Sequence, residues 1–492
     1  MALTTASPIA PLLHTDAYKV DHRRQYPDGV TRVYSNYTNR GSRIEGIDKV
    51  VHFGLQAFLQ SYCIEAFVPF FAAAEDEVAD LYADAMVGVL AANGEAIGAE
   101  HIVALHRLGY LPLRFCAVPE GTRVPLRVPS FTMENTLDEF FWVTNFVETV
   151  VSASVWHPST VATLAYRYRE ILDAAAEKTG DDKAGVDFQL HDFSYRGQVG
   201  TDAAAASGAG HLLSFKGSDT LPALDFVRRY YPGENGLVLA SVAATEHSVM
   251  CAGGQDDELE TYSRLLDLYP SGIVSIVSDT WDLWNVITSI LPQLHERIMA
   301  RDGKLVIRPD SGDPVTILTG TDVENPTTPA DKGVIELLWD EFGGTVNEAG
   351  YKVLDPHIGA IYGDSITTER AIAITERLEA KGFAASNVVF GVGSFSYQYQ
   401  TRDTFGSAIK ATWVEVEGES RNIQKNPITD NGLKKSATGR LAVLRDEQGE
   451  LVLVQGATPE QEAASELQPV WENGKFLRTQ SFADVRAVLG AI

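Results

Sequence analysis

Short apolar runs, each followed by a polar turn, repeat through the middle of the chain from about Asp187 to Gly393. Many of the runs are rich in β-branched residues, and each leads into a group of polar residues or glycines. The runs span residues 188–191, 211–215, 237–242, 273–277, 305–307, 358–362 and 388–390. Continuous apolar runs of this length are typical of parallel strands that are buried on both faces.

Helical patterns lie between several of these runs. In residues 367–381, Ile372, Ile374 and Leu378 recur at roughly helical spacing. About seven strand-and-helix units predict an α/β fold with an irregular (β/α) barrel of about seven parallel strands. An open doubly wound sheet is the alternative, because it also binds ligands at the carboxyl ends of its strands.

The two ends of the chain have a different pattern. Residues 1–150 mix short strands, such as 32–37, with helices, such as 75–92. Residues 440–444 and 451–454 alternate polar and apolar positions, which is typical of antiparallel strands with one exposed face. We predict that residues 1–150 and 400–492 form one flanking α/β domain and that residues 151–399 form the barrel domain. Residues 320–350, rich in Gly, Pro, Thr and Asp, are predicted to be an insertion on the barrel.

Composition narrows the classes of partner. The chain has 492 residues and a formal net charge of -26, which argues against binding to nucleic acid or anionic lipid. Any polyphosphate substrate would therefore need Arg and Lys side chains gathered locally, because the overall field is unfavourable.

Cysteine usage and hydropathy indicate a cytoplasmic protein. Only Cys63, Cys116 and Cys251 are present, widely spaced, so neither a disulfide framework nor a structural zinc site is predicted. Residues 1–11 lack the features of a signal peptide, and no apolar run reaches the roughly 20 residues that span a bilayer. We expect no membrane partner and no nucleic-acid partner.

Residues 308–314 combine a guanidinium, two carboxylates and a hydroxyl directly after an apolar run. Arg308 offers a planar guanidinium to phosphate or carbonyl oxygens, and Asp310 can accept hydrogen bonds from ribose hydroxyls. This combination suits a sugar phosphate. A rigid turn with a surface ion pair is the structural alternative.

Two glycine-containing turns are candidate phosphate sites. Gly363 and Asp364 open a helix whose N–H groups can bind an anion, although simple helix capping also accounts for them. Gly393 and Ser394 follow the last run, where the backbone can approach an anion closely, but a single GxG is more often only a turn.

Two further groups carry an aromatic ring or an imidazole. Phe193 can stack on a flat ligand while Arg196 holds an anion, unless Phe193 is simply a core residue. Glu246 and His247 place a carboxylate beside an imidazole that can act as base, nucleophile or phosphate carrier, although a lone histidine is more often structural. Because the carboxyl ends of barrel strands meet at one mouth, we expect all these groups to surround one site.

The motifs together resemble the nicotinamide phosphoribosyltransferases, which are type II phosphoribosyltransferases. The resemblance covers nearly the whole chain. It includes, in order, residues 15–19 and 25–27 with Arg40, the segments HDFSYRG, FKGSDT, EHS, VSD, IRPDSG and YGDS, and then residues 401–403 with Lys410 and Lys425.

The resemblance implies a homodimer with shared active sites at the subunit interface. Phe193 would stack on one face of nicotinamide and Tyr18 of the partner subunit on the other. Asp219 would accept the carboxamide N–H, Arg308 would contact the amide oxygen or the ribose side, and Asp310 would bind ribose hydroxyls. Asp16, Ser241 and Ser275 are also assigned to substrate binding.

The same resemblance assigns the phosphate sites. Gly363, Asp364, Gly393 and Ser394, with the partner's Arg402, would hold the 5-phosphate region. Arg196, with the partner's Arg40, Lys410 and Lys425, would surround the pyrophosphate. His247 would be phosphorylated by ATP, with Asp279 and Glu246 nearby, so the catalytic set is His247, Asp310, Arg308, Asp279 and Glu246. Mg2+ would be held mainly by substrate phosphates; its protein ligands are unknown.

The expected reaction joins nicotinamide to phosphoribosyl pyrophosphate, giving nicotinamide mononucleotide for NAD salvage, with ATP hydrolysis coupled through the phosphohistidine. The pyridine nitrogen needs no general base, so stacking, in-line positioning and preorganised cations would supply the catalysis. Asp219 would favour an amide over a carboxylate. The alternatives are a nicotinate phosphoribosyltransferase and a non-catalytic binding protein on the same scaffold.

Overall fold

The computed structural model describes residues 7–90, 92, 97–233, 236–363, 365–427, 429 and 436–492. Contacts divide the chain into two compact units. Unit 1 comprises Met1–Thr163, Phe226–Glu234 and Thr401–Gly490, and unit 2 comprises Leu164–Asp225, Asn235–Gln400 and Ala491–Ile492. The domain boundaries given above stay a prediction.

Unit 2 is built on a seven-stranded sheet in which every neighbouring pair of strands is parallel. Its strands, in spatial order, are Gly217–Ser218, Leu190–Asp192, Val388–Val392, Ile358–Tyr362, Leu305–Arg308, Val274–Val277 and Ala243–Ala244. All residues of Val274–Val277 and Ile358–Tyr362 are buried, as the continuous apolar runs predicted.

The two edges of this sheet are joined. A parallel bridge connects Gly217 on one edge strand to Ala240, three residues before the other. Ser218 N donates to Ala240 O at 2.9 Å, and Ala240 N donates to Lys216 O at 2.8 Å. The predicted irregular (β/α) barrel is therefore confirmed, and the open doubly wound alternative is wrong.

Two of the apolar runs are not strands at the predicted positions. In the run 211–215, His211 ends the helix Thr201–His211 and residues 212–215 form a buried turn, while the strand is Gly217–Ser218. The run 237–242 precedes its strand, Ala243–Ala244. A short apolar run has no periodicity of its own, so buried turns and strands look the same in sequence.

Helices surround the barrel strands. Those that lie wholly in unit 2 are Lys183–Val186, Thr201–His211, His247–Gly253, Glu258–Leu268, Leu283–Asn285, Leu291–Gln293, His295–Met299, Pro314–Thr319, Pro329–Lys332, Val334–Phe342, Thr368–Ala380 and Ser394–Tyr397. Glu148–Thr179 and Pro222–Tyr230 each have residues in both units. Val334–Phe342 lies inside the predicted insertion 320–350, yet its Val334, Ile335 and Leu338 are buried. This part of the segment is a packed helix of the barrel.

Unit 1 contains an antiparallel sheet of seven strands drawn from both ends of the chain. In spatial order they are Glu419–Asn422, Ser407–Val416, Val30–Asn39, Pro129–Asn135, Leu113–Ala117, Gln468–Glu472 and Lys475–Phe476. Val30–Asn39 pairs with Ser407–Val416 from Val30↔Val416 to Asn39↔Ser407. The predicted flanking α/β domain built from both chain ends is confirmed.

The helices wholly in unit 1 are mostly short. The α-helices are His22–Gln25, Leu55–Phe58, Val68–Ala72, Glu75–Met86, Glu100–Leu108, Val143–Phe146, Pro459–Ala463 and Phe482–Leu489. Strand pairs Lys49–Val51 with Arg123–Pro125 and Leu441–Arg445 with Leu451–Gln455 complete the unit. Within the described residues no single helix is long and apolar enough to cross a membrane. The bent helix pair Leu55–Ala72 and Glu75–Met86 is long and apolar enough together, but most of its apolar side chains lie in the core of unit 1.

Arg440 joins several parts of unit 1. Its guanidinium donates to Glu462 at 2.7 and 2.8 Å and to Glu134 at 2.9 Å. It lies 4.4 Å from the ring centre of Tyr34 and 5.2 Å from that of Trp413. A guanidinium suits this position, because it can bind two carboxylates while it stacks on aromatic faces.

We expect Arg440→Met to lower the free energy of unfolding by about 3–5 kcal/mol, because it leaves two partly buried carboxylates without their partner. Urea denaturation followed by tryptophan fluorescence measures this change. Arg107→Met is the matched control, since Arg107 pairs with Glu75 on the exposed surface, and we expect no resolvable change there. Equal effects of the two substitutions would contradict the buried role of Arg440.

Candidate functional site

The carboxyl ends of the barrel strands surround a cavity of about 430 Å3, here called the mouth cavity. Phe193 follows Leu190–Asp192, Asp219 follows Gly217–Ser218, and Arg308 ends Leu305–Arg308. The lining residues are Phe193, Tyr195, Arg196, Asp219, Thr220, Ala244, Thr245, Glu246, Arg308, Asp310 and Gly363. Seven predicted site residues, all from unit 2, therefore line one mouth.

One carboxylate oxygen of Asp219 forms hydrogen bonds with two side chains. His191 Nε2 lies 3.1 Å from Asp219 Oδ1, and the hydroxyl of Ser241 donates to the same atom. Burial raises the pKa of this carboxyl, but these hydrogen bonds and the charge of Arg308 outweigh burial and hold the pKa of Asp219 below its ordinary value. Asp219 is thus an ionised acceptor beside the mouth cavity.

Phe193 lies beside His191, with ring centres 4.6 Å apart. Two glycines leave room for this pair. A Cβ on Gly391 would lie 2.9 Å from Phe193 Cδ2 and 2.6 Å from Tyr362 O, and a Cβ on Gly217 would lie 2.9 Å from His191 Nδ1. His191 was not among the predicted site residues. The signal that could have identified it is its position inside an apolar run, directly before Asp192 and Phe193.

Arg308 and the two aspartates near it form a connected group. Arg308 donates to the carbonyl oxygen of Thr245. Asp279 Oδ2 accepts from the backbone N of Asp310 at 2.8 Å and from Ser311 Oγ at 2.6 Å. Burial lowers the pKa of the Arg308 guanidinium, while the charges of Asp310, Asp219 and Asp279 act in the opposite direction. Asp279 therefore fixes the backbone that presents Asp310 to the cavity.

His247 begins the helix His247–Gly253, next to this group. Its Nδ1 lies 3.1 Å from Thr280 Oγ1, and its Nε2 lies 3.8 Å from Asp310 Oδ2. Glu246 accepts a hydrogen bond from Ser248 and lines the mouth cavity. The imidazole is half-exposed, so one ring nitrogen is accessible beside the carboxylate of Asp310.

The predicted phosphate turns lie nearby in unit 2. A Cβ on Gly363 would lie 2.6 Å from Asp310 Oδ1. Gly393 and Ser394 start the helix Ser394–Tyr397, and a Cβ on Gly197 would lie 2.1 Å from Ser394 Cβ. The turn that carries Arg196 therefore packs on Ser394. Asp364 lies outside the described residues.

A second cavity, of about 370 Å3, shares Phe193, Asp219, Ala244 and Arg308 with the first. We call it the barrel cavity. Its wall also includes Ser241, the buried Ser275 and side chains from the interior of the sheet, including Val306, Ile361 and Val389. Ser241 and Ser275 are thereby placed next to the mouth.

The remaining predicted site residues lie in unit 1. Burial lowers the pKa of Lys410, Glu148 acts against this, and the nearby cations Arg40, Lys425 and Arg402 lower it further. Arg40, Lys425 and Arg402 therefore lie within electrostatic range of Lys410, and these four cations are called the unit 1 cluster. Arg40 and Lys410 line a pocket of about 330 Å3 in the same unit.

Arg127 lines that pocket as well, and the sequence analysis missed it. Its φ is +70°, and its backbone N donates to Asn39 O at 2.7 Å. A non-glycine residue with positive φ is uncommon and indicates a position held by its surroundings. Here it adds a third cation to the pocket wall, and no sequence motif marks it.

Tyr18 and Asp16 lie in the same unit. Asp16 Oδ2 accepts from Thr149 Oγ1 at 2.5 Å. Burial and the charges of Asp16 and Glu148 raise the pKa of Tyr18. Lys410 Nζ lies 4.0 Å from Glu148 Oε1, so Tyr18 and Lys410 share one acidic neighbour.

Within the described ranges, no three or more His, Cys, Asp or Glu side chains are grouped in a way that could hold a metal ion. Mg2+ commonly keeps one or two carboxylates and takes its other ligands from water and substrate phosphates. Asp279 Oδ1 is buried and accepts no hydrogen bond from the described part of the chain. Asp279 and Asp310 are therefore the carboxylates that fit a phosphate-bound Mg2+.

Comparison with known proteins decides the family. The model of the nicotinate phosphoribosyltransferase (NAPRTase) family matches residues 188–475, more than half of the chain. The chain belongs to this family. The N-terminal domain model of nicotinamide phosphoribosyltransferase matches residues 10–114. The chain is therefore a phosphoribosyltransferase enzyme, as the resemblance implied, and the non-catalytic alternative is wrong.

Two curated relatives are similar over nearly their whole lengths. The nicotinamide phosphoribosyltransferase of Acinetobacter baylyi is 50% identical over 491 residues, covering 97% of this chain and 96% of that protein. The nicotinamide phosphoribosyltransferase of Xanthomonas campestris pv. campestris is 37% identical, covering 97% of each.

Solved structures support the fold. Human nicotinic acid phosphoribosyltransferase matches with a TM-score of 0.56 and 16% identity, covering 97% of this chain and 93% of that one. Nicotinate-nucleotide pyrophosphorylase from Pyrococcus furiosus also has a TM-score of 0.56, with 15% identity and coverage of 99% and 96%. At these identities the likeness extends to the fold alone.

Proposed function

We propose that this phosphoribosyltransferase transfers the phosphoribosyl group of phosphoribosyl pyrophosphate to nicotinamide in the cytoplasm. The products are nicotinamide mononucleotide, which enters NAD salvage, and pyrophosphate. The ionised Asp219 beside Phe193 is the observation that carries this assignment. The curated relatives named for nicotinamide add independent support.

Asp219 would select the amide. With Oδ1 occupied by His191 and Ser241, the second carboxylate oxygen is available to accept an N–H of the carboxamide. A ligand carboxylate at the same position would meet a like charge, a cost on the order of several kcal/mol if the pair is desolvated. Nicotinate is therefore the disfavoured substrate.

Phe193 would stack on the pyridine ring and hold its nitrogen in line with the anomeric carbon. Asp310 would bind the ribose hydroxyls, and Arg308 would contact the amide oxygen or ribose side. As the bond to pyrophosphate breaks, negative charge develops on the leaving group, and Arg196 with the unit 1 cations would stabilise it. Bound Mg2+ would supply further charge neutralisation, with Asp279 and Asp310 able to contribute ligands.

The unit 1 cluster would act across a subunit interface. We propose a homodimer in which Tyr18, Arg40, Arg402, Lys410 and Lys425 of the partner subunit complete the mouth of each barrel. These cations belong to unit 1, whereas the ligand groups that line the mouth cavity belong to unit 2, and this division of the chain supports the proposal.

ATP would act as a coupled co-substrate. The γ-phosphoryl group of ATP would pass to a ring nitrogen of His247, which lies beside Asp310 and near Asp279 and Glu246. A phosphohistidine beside the ribose site would tighten the substrate complex and couple ATP hydrolysis to synthesis.

The test of the activity is a product assay with nicotinamide and with nicotinate. We expect the mononucleotide from nicotinamide, and we expect Asp219→Asn to shift the ratio of kcat/KM values towards nicotinate by about tenfold or more, because the like charge is removed. Asp225→Asn, in an exposed carboxylate of the helix Pro222–Tyr230, is the matched control. A wild-type preference for nicotinate would overturn the assignment.

His247→Ala should abolish the stimulation of the reaction by ATP while leaving the uncoupled rate measurable. Rates with and without ATP, together with trapping of labelled phosphate on the protein, measure this. His295→Ala is the control, since His295 pairs with Glu341 on the helical side of the barrel unit. Full ATP stimulation in the His247 variant would refute the phosphohistidine.

Mixing two inactive variants tests the shared site. Asp310→Ala damages the unit 2 groups and Lys410→Met the unit 1 groups, so each homodimer should be inactive. In a mixed dimer one site receives both intact halves, and random exchange should restore about a quarter of wild-type activity. If unit 1 residues served their own chain, mixing after subunit exchange would restore nothing.

A further inference from the structure

Three cations, Arg40, Arg127 and Lys410, line the pocket of about 330 Å3 in unit 1, which is here called the cation pocket. Among the described residues that line it, none is an aspartate or a glutamate. Glu148, which lies 4.0 Å from Lys410 Nζ, is not part of this wall. A wall with three positive charges and no carboxylate favours an anion that carries more than one charge.

Arg127 differs from the other two cations in its contacts. Its side chain is exposed and forms no ion pair or hydrogen bond with the part of the chain that the structure describes. Arg40, in contrast, donates from Nε to Gly406 O at 3.0 Å. A guanidinium carries five N–H donors in a planar fork that matches the oxygens of a phosphate. Arg127 therefore brings its whole set of donors to the pocket.

The backbone holds Arg127 in an uncommon conformation. Its φ of +70° lies in the left-handed region, which favours glycine. The backbone N of Arg127 donates to Asn39 O at 2.7 Å, and that of Leu126 donates to Asp48 O at 2.9 Å, so the turn is tied to the chain on both sides of Arg40. A large side chain at this φ costs free energy, and such strain is concentrated at binding sites. The strain is an observation independent of the charges in the pocket.

We infer that Arg127 binds the pyrophosphate group of phosphoribosyl pyrophosphate, beside Arg40 and Lys410. This rests on the proposed function, and it adds a residue to the cations assigned to that group. In the proposed homodimer, the cation pocket of one copy would face the phosphates held at the mouth of the other. Arg127 would donate two N–H groups to phosphate oxygens, and the same contact would hold the released product, inorganic pyrophosphate.

Inorganic pyrophosphate is the probe, because its binding requires neither nicotinamide nor ATP. Isothermal titration of the full chain should detect pyrophosphate binding. Arg127→Met should weaken the binding by about tenfold or more, since charge-assisted hydrogen bonds are lost. Arg445→Met is the matched control, because Arg445 is an exposed arginine of unit 1 that pairs with Glu466 and lies outside the pocket. The control should bind pyrophosphate as wild type does.

Arg127→Gly separates the effect of the side chain from that of the backbone. Glycine adopts a positive φ without strain, so the Tm of this variant should equal or exceed that of wild type. Its affinity for pyrophosphate should nevertheless fall as far as that of Arg127→Met. The affinity of wild type should also fall more steeply with NaCl concentration than that of either variant, because the variants present one cation fewer to the ligand.

Unchanged pyrophosphate affinity in a folded Arg127 variant would overturn the inference. Failure of wild type to bind pyrophosphate at millimolar concentration would also overturn it. Loss of the fold in both Arg127 variants would show that the residue is structural, with the same consequence. Absence of turnover with nicotinamide would instead contradict the proposed function, and it would leave this result standing because the titration contains no nicotinamide.

Discussion

Close approach at Gly217 is the constraint on which the site depends. This residue makes the bridge to Ala240 that joins the edges of the sheet, and its missing side chain leaves room for the imidazole of His191. His191 in turn lies beside Phe193 and holds Asp219. Closure of the barrel and the geometry of the ligand groups therefore depend on the same close contact. A larger residue at position 217 would disturb both.

Much of the barrel could be predicted from the sequence, because parallel strands buried on both faces leave continuous apolar runs. The run 211–215 shows the limit of that signal. His211 is buried at the end of a helix, where its ring bonds to Tyr397 Oη at 2.7 Å and Gly217 O at 2.9 Å. Its apolar neighbours Leu212, Leu213 and Phe215 are fully buried but lie in the turn before the strand. Buried strands and buried turns both need apolar residues, so only the tertiary contacts distinguish one from the other.

The candidate site likewise contains residues that could be predicted from the sequence and residues that could not. Phe193 and Arg308 could be found because each stands directly at a strand end, where topology forces convergence, whereas Asp219 was assigned through the family resemblance. Arg127 stands in a turn, with no motif around it. Its importance depends on which other side chains lie nearby, and that information is absent from a single sequence. Resemblance to a family transfers motif residues only, so it also passes over such positions.

The distribution of charge explains how a chain of net charge -26 can bind a polyphosphate. In the barrel unit, the negative charges of Asp310, Asp219 and Asp279 lie close to Arg308 and counter its positive charge. In unit 1, burial lowers the pKa of Lys410, and repulsion from Arg40, Lys425 and Arg402 lowers it further. In the homodimer proposed above, the cations of one copy would meet the phosphates bound by the other, and those phosphates would offset the repulsion among the cations.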